Sequence, residues 1–177
     1  ARVSYKLDLD GPSIGVATAC SSGLTAVHLA CQSLINGDSD LAFALAASIR
    51  FPADRGLTRV PGSILAGDGH CRPFAADADG TVEADGAAGV ALRRLDEALA
   101  DGDRIHAVIL GSAVGSDGAE RAGFTAPGVA GQRRILESAL RYADISPDEV
   151  AYVEAHGTGT RLGDPIETRA LAAVYGT

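Results

Sequence analysis

Short apolar runs alternate along the chain with stretches in which apolar residues recur every three or four positions. An apolar run is typical of a strand, and the three-to-four spacing is typical of a helix with one packed side. The predicted strands are 14–19, 41–49, 87–95, 106–114 and 150–156. The predicted helices are 20–36, 96–102, 127–143 and 163–176. Strands and helices in such alternation indicate a layered α/β fold.

Three parts of this pattern carry further predictions. The run at 41–49 has no charged position and predicts a strand that is buried on both faces. Residues 50–85 contain proline, glycine and aspartate throughout and predict a long surface loop, a feature that is usually functional inside a compact domain. In the last predicted helix, Asp164 is the expected N-cap and Pro165 lies in the first turn.

Length, charge and cysteine content narrow the class of protein. The 177 residues suit one sizeable domain, and the net charge of −8 argues against a nucleic-acid or anionic-membrane partner. No apolar run approaches the roughly 18 residues that cross a bilayer. No signal peptide or paired cysteine spacing is visible, so a reducing cytoplasm is the expected location. A start without Met predicts a piece of a longer polypeptide.

Cys20 lies in the stretch ATACSSGL, residues 17–24, between a predicted strand and a predicted helix. A thiol at a helix N-terminus lies near the positive end of the helix dipole, which favours the nucleophilic thiolate. Backbone N–H groups there can also bind an oxyanion on an acyl carbonyl. Cysteine is equally a common buried residue, so position alone leaves both roles open. For Cys31, on the apolar helix face, and Cys71, in the loop, we predict no chemical role.

His156 ends a predicted strand in the stretch VEAHGTGTRLGDPIE, residues 153–167. A histidine at a strand end, followed by glycines, is expected in a cleft above the sheet. Thr158 and Thr160 offer hydroxyls to a polar ligand. Together, a cysteine and a histidine at such junctions predict thiol acyl-transfer chemistry, with a papain-like hydrolase still open.

Two other motifs do not hold. GTGTRLG lacks the glycine at Leu162 that a dinucleotide fingerprint needs. Residues 77–86 depart from the spacing of a calcium loop. Cys71 beside His70 lacks a second ligand pair at zinc spacing. We therefore predict no metal site and no directly bound cofactor.

The same stretches carry a family resemblance. GPSIGVATACSSGLTAVHLACQSLINGDSDLAFA resembles the active-site cysteine region of β-ketoacyl synthases, specifically the ketosynthase domains of modular polyketide synthases. DGHCRPFAADADGTVEADGAAGVALRRL, GFTAPGVAGQ and YVEAHGTGTRLGDPIE resemble three further motifs of those domains, in the same order. Gly23 and Ala46 depart from the serine and glycine that are commoner there.

The resemblance implies a thiolase-like fold with α-β-α-β-α layers, only partly covered by this chain, and a homodimer in the full domain. Residues 1–115 would form the rear of the N-terminal half, and 126–177 the start of the C-terminal half. Cys20 would be the catalytic nucleophile, with its N–H in the oxyanion hole, and His156 a catalytic histidine.

The remaining implications concern the substrate and its carrier. Thr158 and Thr160 would line the channel for a phosphopantetheine arm on an acyl carrier protein, and Glu167 would be an acid near the pocket. The reaction would be decarboxylative condensation of acyl and malonyl-type thioesters. A second histidine is expected beyond Thr177, so we expect a fragment that cannot elongate alone. A fatty-acid-type condensing enzyme, a non-elongating acyl-relay ketosynthase and a binding module without chemistry remain alternatives.

Overall fold

The chain was studied as a computed structural model, which describes residues 2–51, 56, 62–121 and 123–176. The elements in chain order are α1 (Arg2–Leu7), α2 (Ser22–Asn36), β1 (Leu41–Ser48), β2 (Gly86–Arg93), α3 (Leu95–Ala100), α4 (Val129–Ala143) and α5 (Gly163–Tyr175). The chain divides into two compact units. The first unit is Ala1–Ile49 with Asp85–Ile109, and the second is Arg50–Ala84 with Leu110–Thr177.

In the first unit, α2 packs against an antiparallel pair of strands. β1 pairs with β2 from Leu41↔Arg93 to Ser48↔Gly86. The first turn of α2 comes close to β1, because a Cβ at Gly23 would lie 3.3 Å from the Cβ of Ala46. A larger side chain at position 23 would therefore push the start of α2 away from the strand.

Arg94, directly after β2, closes the other end of α2. Its guanidinium donates to the carbonyl oxygens of Leu34 and Ser39, each at 2.9 Å. It also pairs with Asp40 at 2.5 Å and with Glu97 at 2.7 Å. Carbonyls in the last turn of a helix lack intrahelical donors, so one arginine satisfies acceptors there and ties α2 to α3.

The outer face of β1 differs from the prediction of a strand buried on both faces, which is wrong. Ala44 is buried, but Leu41, Phe43 and Leu45 are 50–62% exposed. Alternate residues of a strand point to opposite faces, so these three lie on the face opposite Ala44. Two-sided burial needs a layer on each face, and among the described residues only α2 packs extensively on this sheet.

In the second unit, residues 111–117 run antiparallel to α4. A Cβ at Gly111 would lie 2.5 Å from the backbone nitrogen of Ala143, and a Cβ at Gly115 would meet the side chain of Ile135. Asp117 accepts a hydrogen bond from the N–H of Gly128, just before α4, at 3.1 Å. Close packing along this segment therefore depends on glycine.

The helices are predicted better than the strands. Helices are confirmed near all four predicted positions, and the predicted strands at 41–49 and 87–95 correspond to β1 and β2. The strands predicted at 14–19, 106–114 and 150–156 are wrong, since the structure places no strand there. A strand needs a hydrogen-bonded neighbour, whereas an apolar run reports only a tendency to be buried.

The loop predicted at 50–85 is confirmed for its described part, up to β2. That part contains only an isolated bridge between Leu65 and Thr81. Ala66 and Ala78 are buried, so the loop is partly an interior segment. Residues 52–55 and 57–61 lie outside the described residues. Across the described ranges, none of the helices is both long and apolar enough to cross a membrane.

Candidate active site

Cys20 lies in a tight turn at the start of α2. The turn is a short 3₁₀ helix, Ala19–Ser21, and its first hydrogen bond runs from the N–H of Ser21 to the carbonyl of Thr18. The N–H groups of Ala19 and Cys20 therefore precede the hydrogen-bonded helix, where an anion can bind. The Cys20 side chain is exposed. The structure thus places an accessible thiol beside N–H groups that could bind an oxyanion.

A network of hydroxyl groups holds this turn. The Ser22 hydroxyl accepts from the N–H of Thr18 at 3.0 Å and donates to the carbonyl of Ala19 at 2.7 Å. The Ser21 hydroxyl lies 2.9 Å from the carbonyl oxygen of Thr18, and the Thr18 hydroxyl donates to that of Thr25 at 3.2 Å. All these groups are neutral and lie within seven positions of one another.

The other two cysteines have different surroundings. Cys31 is half-buried on α2, and burial raises the pKa of its thiol, which keeps it protonated near neutral pH. Cys71 is exposed, and its Sγ lies 3.5 Å from the carbonyl oxygen of Thr158. Cys71 thus contacts the loop that follows His156, a contact between distant residues that the sequence pattern gives no sign of.

The backbone around His156 is held by Glu167 from α5. The two carboxylate oxygens of Glu167 accept from the N–H of His156 at 2.6 Å and from the N–H of Gly157 at 2.9 Å. The His156 side chain is exposed. Glu167, expected as an acid near the pocket, therefore acts on the backbone at His156.

Asp164 is the buried anchor of the same loop. It is 5% exposed, and its carboxylate accepts from the N–H of Gly159 at 3.0 Å and from the N–H of Phe74 at 2.6 Å. The prediction that Asp164 caps α5 is wrong, because Leu162 precedes the helix and Asp164 lies in its first turn. Its carboxylate reaches outward to join residues 156–160 to the segment around Phe74.

Thr160 takes over the capping of α5. Its hydroxyl accepts from the N–H of Gly163 at 3.0 Å and lies 3.1 Å from the hydroxyl of Thr158. The two threonines predicted to bind substrate are half-buried and hydrogen-bonded within the loop. Their expected place in a substrate channel stays a prediction.

Glycine is required at position 159 in this loop. Gly159 has φ 68°, and a Cβ there would lie 3.0 Å from the carbonyl oxygen of Gly80 and 3.2 Å from Sγ of Cys71. The N–H of Gly80 also donates to the carbonyl of Gly159 at 2.8 Å. Residues 156–160 thus pack against 71–80, the described end of the long loop.

The structure brings four of the predicted site residues together in the second unit: His156, Thr158, Thr160 and Glu167. Cys20 belongs to the first unit and is described with it. Sequence reasoning missed Asp164 as an anchor. Its only signal was an aspartate eight positions after the histidine, which also fits a helix cap. In the described parts of the chain, no group of three or more His, Cys, Asp or Glu residues is arranged to hold a metal ion.

Two family models cover nearly the whole chain. The model for the β-ketoacyl synthase N-terminal domain matches residues 1–98, and that for the C-terminal domain matches residues 106–177. This chain belongs to the β-ketoacyl synthase family. The resemblance drawn from the four sequence motifs is therefore confirmed.

Relatives with curated names are multi-domain synthases. The chain is 49% identical over 174 residues to a phenolphthiocerol/phthiocerol polyketide synthase of Mycobacterium tuberculosis, covering 98% of this chain and 12% of that protein. It is 51% identical over 175 residues to a second polyketide synthase of the same name and organism, covering 99% of this chain and 11% of that protein. The chain therefore spans about an eighth of the length of these relatives.

Solved ketosynthase structures share the fold. The ketosynthase from module 1 of the bacillaene synthase of Bacillus amyloliquefaciens superimposes with a TM-score of 0.91 at 43% identity, over 99% of this chain and 31% of that one. Ketosynthase twelve of the bacillaene synthase in the same species gives 0.94 at 40% identity, with the same coverage. These similarities confirm the thiolase-like α/β fold class.

Proposed function

We propose that this β-ketoacyl synthase family chain belongs to the condensing domain of a polyketide synthase and extends acyl chains by two carbons of the chain backbone. The observation that carries the proposal is the exposed Cys20 thiol, which lies directly before α2. Both relatives described above are named polyketide synthases. Their names favour a polyketide reaction over the fatty-acid-type alternative.

In the first half-reaction, Cys20 takes an acyl group. The Cys20 thiolate attacks the carbonyl carbon of an acyl thioester, and the backbone N–H of Cys20 donates to the oxyanion that forms. The tetrahedral intermediate collapses when the bond to the carrier sulfur breaks. The carrier leaves as a thiolate and takes a proton from solvent, while the acyl group remains on Sγ.

In the second half-reaction, a new carbon–carbon bond replaces the Cys20 thioester. A malonyl-type thioester loses CO₂, and the electron pair of the broken bond remains as an enolate. His156 donates a hydrogen bond to the thioester oxygen and stabilises its negative charge. The enolate carbon attacks the acyl carbonyl on Cys20, whose sulfur leaves as thiolate. The product is a β-ketoacyl thioester on the carrier.

The substrates arrive on an acyl carrier protein, which we propose as the partner. Its phosphopantetheine arm belongs to the substrate, so the chain itself needs no bound cofactor. Thr158 and Thr160 would contact this arm. The full domain would be a homodimer in the cytoplasm, with 1–115 in its N-terminal half and 126–177 in its C-terminal half.

The chain offers a matched test of the nucleophile. Cys20 and Cys71 are both exposed cysteines, so Cys20→Ala can be compared directly with Cys71→Ala. The full-length protein is incubated with a short acyl-pantetheine thioester, and the acylated peptide is identified by mass spectrometry. We expect one adduct, on the peptide with Cys20, lost in Cys20→Ala and retained in Cys71→Ala. An adduct that persists in Cys20→Ala contradicts the proposal.

A second measurement separates condensation from acylation. His156→Ala should still form the acyl adduct on Cys20 but release little CO₂ from a malonyl thioester, because the enolate loses its hydrogen-bond donor. His28→Ala, on α2, is the matched control and should condense normally. Condensation at the normal rate in His156→Ala would exclude the proposed role of this histidine, and a non-elongating relay would show acylation without condensation in every variant.

A further inference from the structure

The backbone at Ala19 adopts an unfavourable conformation just before Cys20. Its φ is 53°, in the left-handed region where the Cβ of alanine crowds the neighbouring carbonyl. Such a conformation persists only where the surroundings enforce it, and it is often found at functional positions. The carbonyl of Ala19 and the N–H of Cys20 belong to the same peptide group. Any change at Ala19 therefore reorients the N–H of Cys20.

Ser22 supplies contacts that enforce this conformation from both sides of Ala19. Its hydroxyl accepts from the N–H of Thr18 at 3.0 Å and donates to the carbonyl of Ala19 at 2.7 Å. The backbone N–H of Ser22 donates to the same carbonyl. Because a peptide group is planar, fixing the Ala19 oxygen on one side also fixes the direction of the Cys20 N–H on the other.

The neighbouring hydroxyls do not have this arrangement. The Ser21 hydroxyl contacts the carbonyl and the hydroxyl of Thr18, and the Thr25 hydroxyl contacts only the hydroxyl of Thr18 among the hydrogen bonds described. Ser22 is also half-buried, whereas Ser21 is exposed. Among these hydroxyls, that of Ser22 is the one that bonds to both peptide groups flanking Ala19.

We infer that Ser22 is a positioning residue, whose hydroxyl holds the Ala19–Cys20 peptide group so that its N–H faces the acyl oxyanion formed at Cys20. The inference rests on the proposed function, because the oxyanion exists only if Cys20 is acylated. Ser22 acts through the backbone and does not touch the reacting atoms. Its removal lowers the rate of acylation without weakening the binding of the thioester.

The test compares acylation with a reaction at the same sulfur that forms no oxyanion. In the full-length protein, Ser22→Ala should lower the rate of Cys20 acylation by an acyl-pantetheine thioester by about 10- to 100-fold, with the KM unchanged. Alkylation of Cys20 by iodoacetamide, a displacement without an oxyanion, should change less than threefold. Ser22→Thr, which keeps a hydroxyl, should recover most of the acylation rate.

Two further variants keep the test decisive. Ser33→Ala is the matched control, because Ser33 is on the same helix and its hydroxyl lies 2.8 Å from that of Ser39, near the opposite end. It should acylate at the normal rate. Ala19→Gly removes the Cβ that opposes positive φ, so adding Ser22→Ala to Ala19→Gly should cost less than about threefold in rate.

The outcomes separate this inference from the proposed function. Acylation of Ser22→Ala at the rate of the unchanged protein overturns the inference alone. An equal loss of acylation and alkylation, or an equal loss in the Ala19→Gly background, also overturns it, since both indicate general disruption of the turn. Failure of the unchanged protein to acylate at Cys20 overturns the proposed function and this inference together.

Discussion

The turn at Cys20 and the loop at His156 are held in place by opposite means. The turn depends on neutral hydroxyls whose partners lie at most seven positions away. The loop depends on two carboxylates of α5, one of which reaches a residue 90 positions earlier in the chain, Phe74. The Cys20 turn is largely exposed, whereas the Asp164 anchor is buried.

This difference separates local from long-range support. Hydrogen bonds to a charged acceptor are stronger than those between neutral groups, and their loss in a buried place leaves donors without partners. The His156 loop should therefore be rigid but dependent on the rest of its unit. The Cys20 turn should tolerate distant changes but respond to small changes at neighbouring residues.

The largest effect is expected at the buried anchor of the His156 loop. Asp164→Ala removes the acceptor for the N–H groups of Gly159 and Phe74, and should lower the free energy of opening of this loop by about 3 kcal/mol. Hydrogen exchange of the peptides that contain the two amides measures this. Asp148→Ala is the control, because Asp148 bonds locally to Ser146 on the surface. Unchanged exchange in Asp164→Ala would remove the distinction drawn between the two regions.

An intermediate effect is expected where the Cys20 turn has a long-range neighbour. Gly23→Val places a branched side chain against Ala46 and should destabilise the protein by about 2 kcal/mol through overpacking. The double variant with Ala46→Gly should recover about 1 kcal/mol of coupling between the two positions in a double-mutant cycle. Chemical denaturation measures both values. Strict additivity would show that the close approach of α2 and β1 does not limit position 23.

The smallest effect concerns an exposed carboxylate in the loop of the second unit. The backbone N–H of His70, more than the charge of Arg72, holds the pKa of Asp68 below its usual value. Because the folded pKa is the lower one, the associated stability is present above the unfolded pKa of about 3.9 and is lost as pH falls through the folded pKa. NMR titration of the Asp68 carboxyl measures the pKa, and Arg72→Gln should leave most of the shift in place. Complete loss of the shift in Arg72→Gln would show that the arginine, and not the backbone, causes it.

The helices and the candidate nucleophile could be predicted from the sequence because their signals are local. The spacing of apolar residues in α2 and α4, and a cysteine directly before a helical pattern, are visible within fifteen residues. The positive φ of Ala19 could not be predicted, since alanine rarely adopts it and the hydroxyls that enforce it have many other uses.

The role of Asp164 and the fate of two predicted strands could not be predicted for a different reason. Asp164 finds Phe74 only after distant segments come together, and its sequence context equally suits a helix cap. Residues 106–114 and 150–156 have the apolar pattern of strands, but pairing depends on a neighbouring strand that the pattern does not specify.

The pairing of Ser48 with Gly86 has a consequence for how the chain folds. The connection between β1 and β2, residues 49–85, leaves and re-enters the sheet at facing positions. Sheet formation must therefore wait for this long loop to close, whereas α2 and α4 can form from neighbouring residues. Loop-closure entropy grows slowly with length, by about 0.6 kcal/mol for each doubling. Homologous chains can thus accept insertions in this connection at little cost in stability, with the penalty appearing mainly as slower folding.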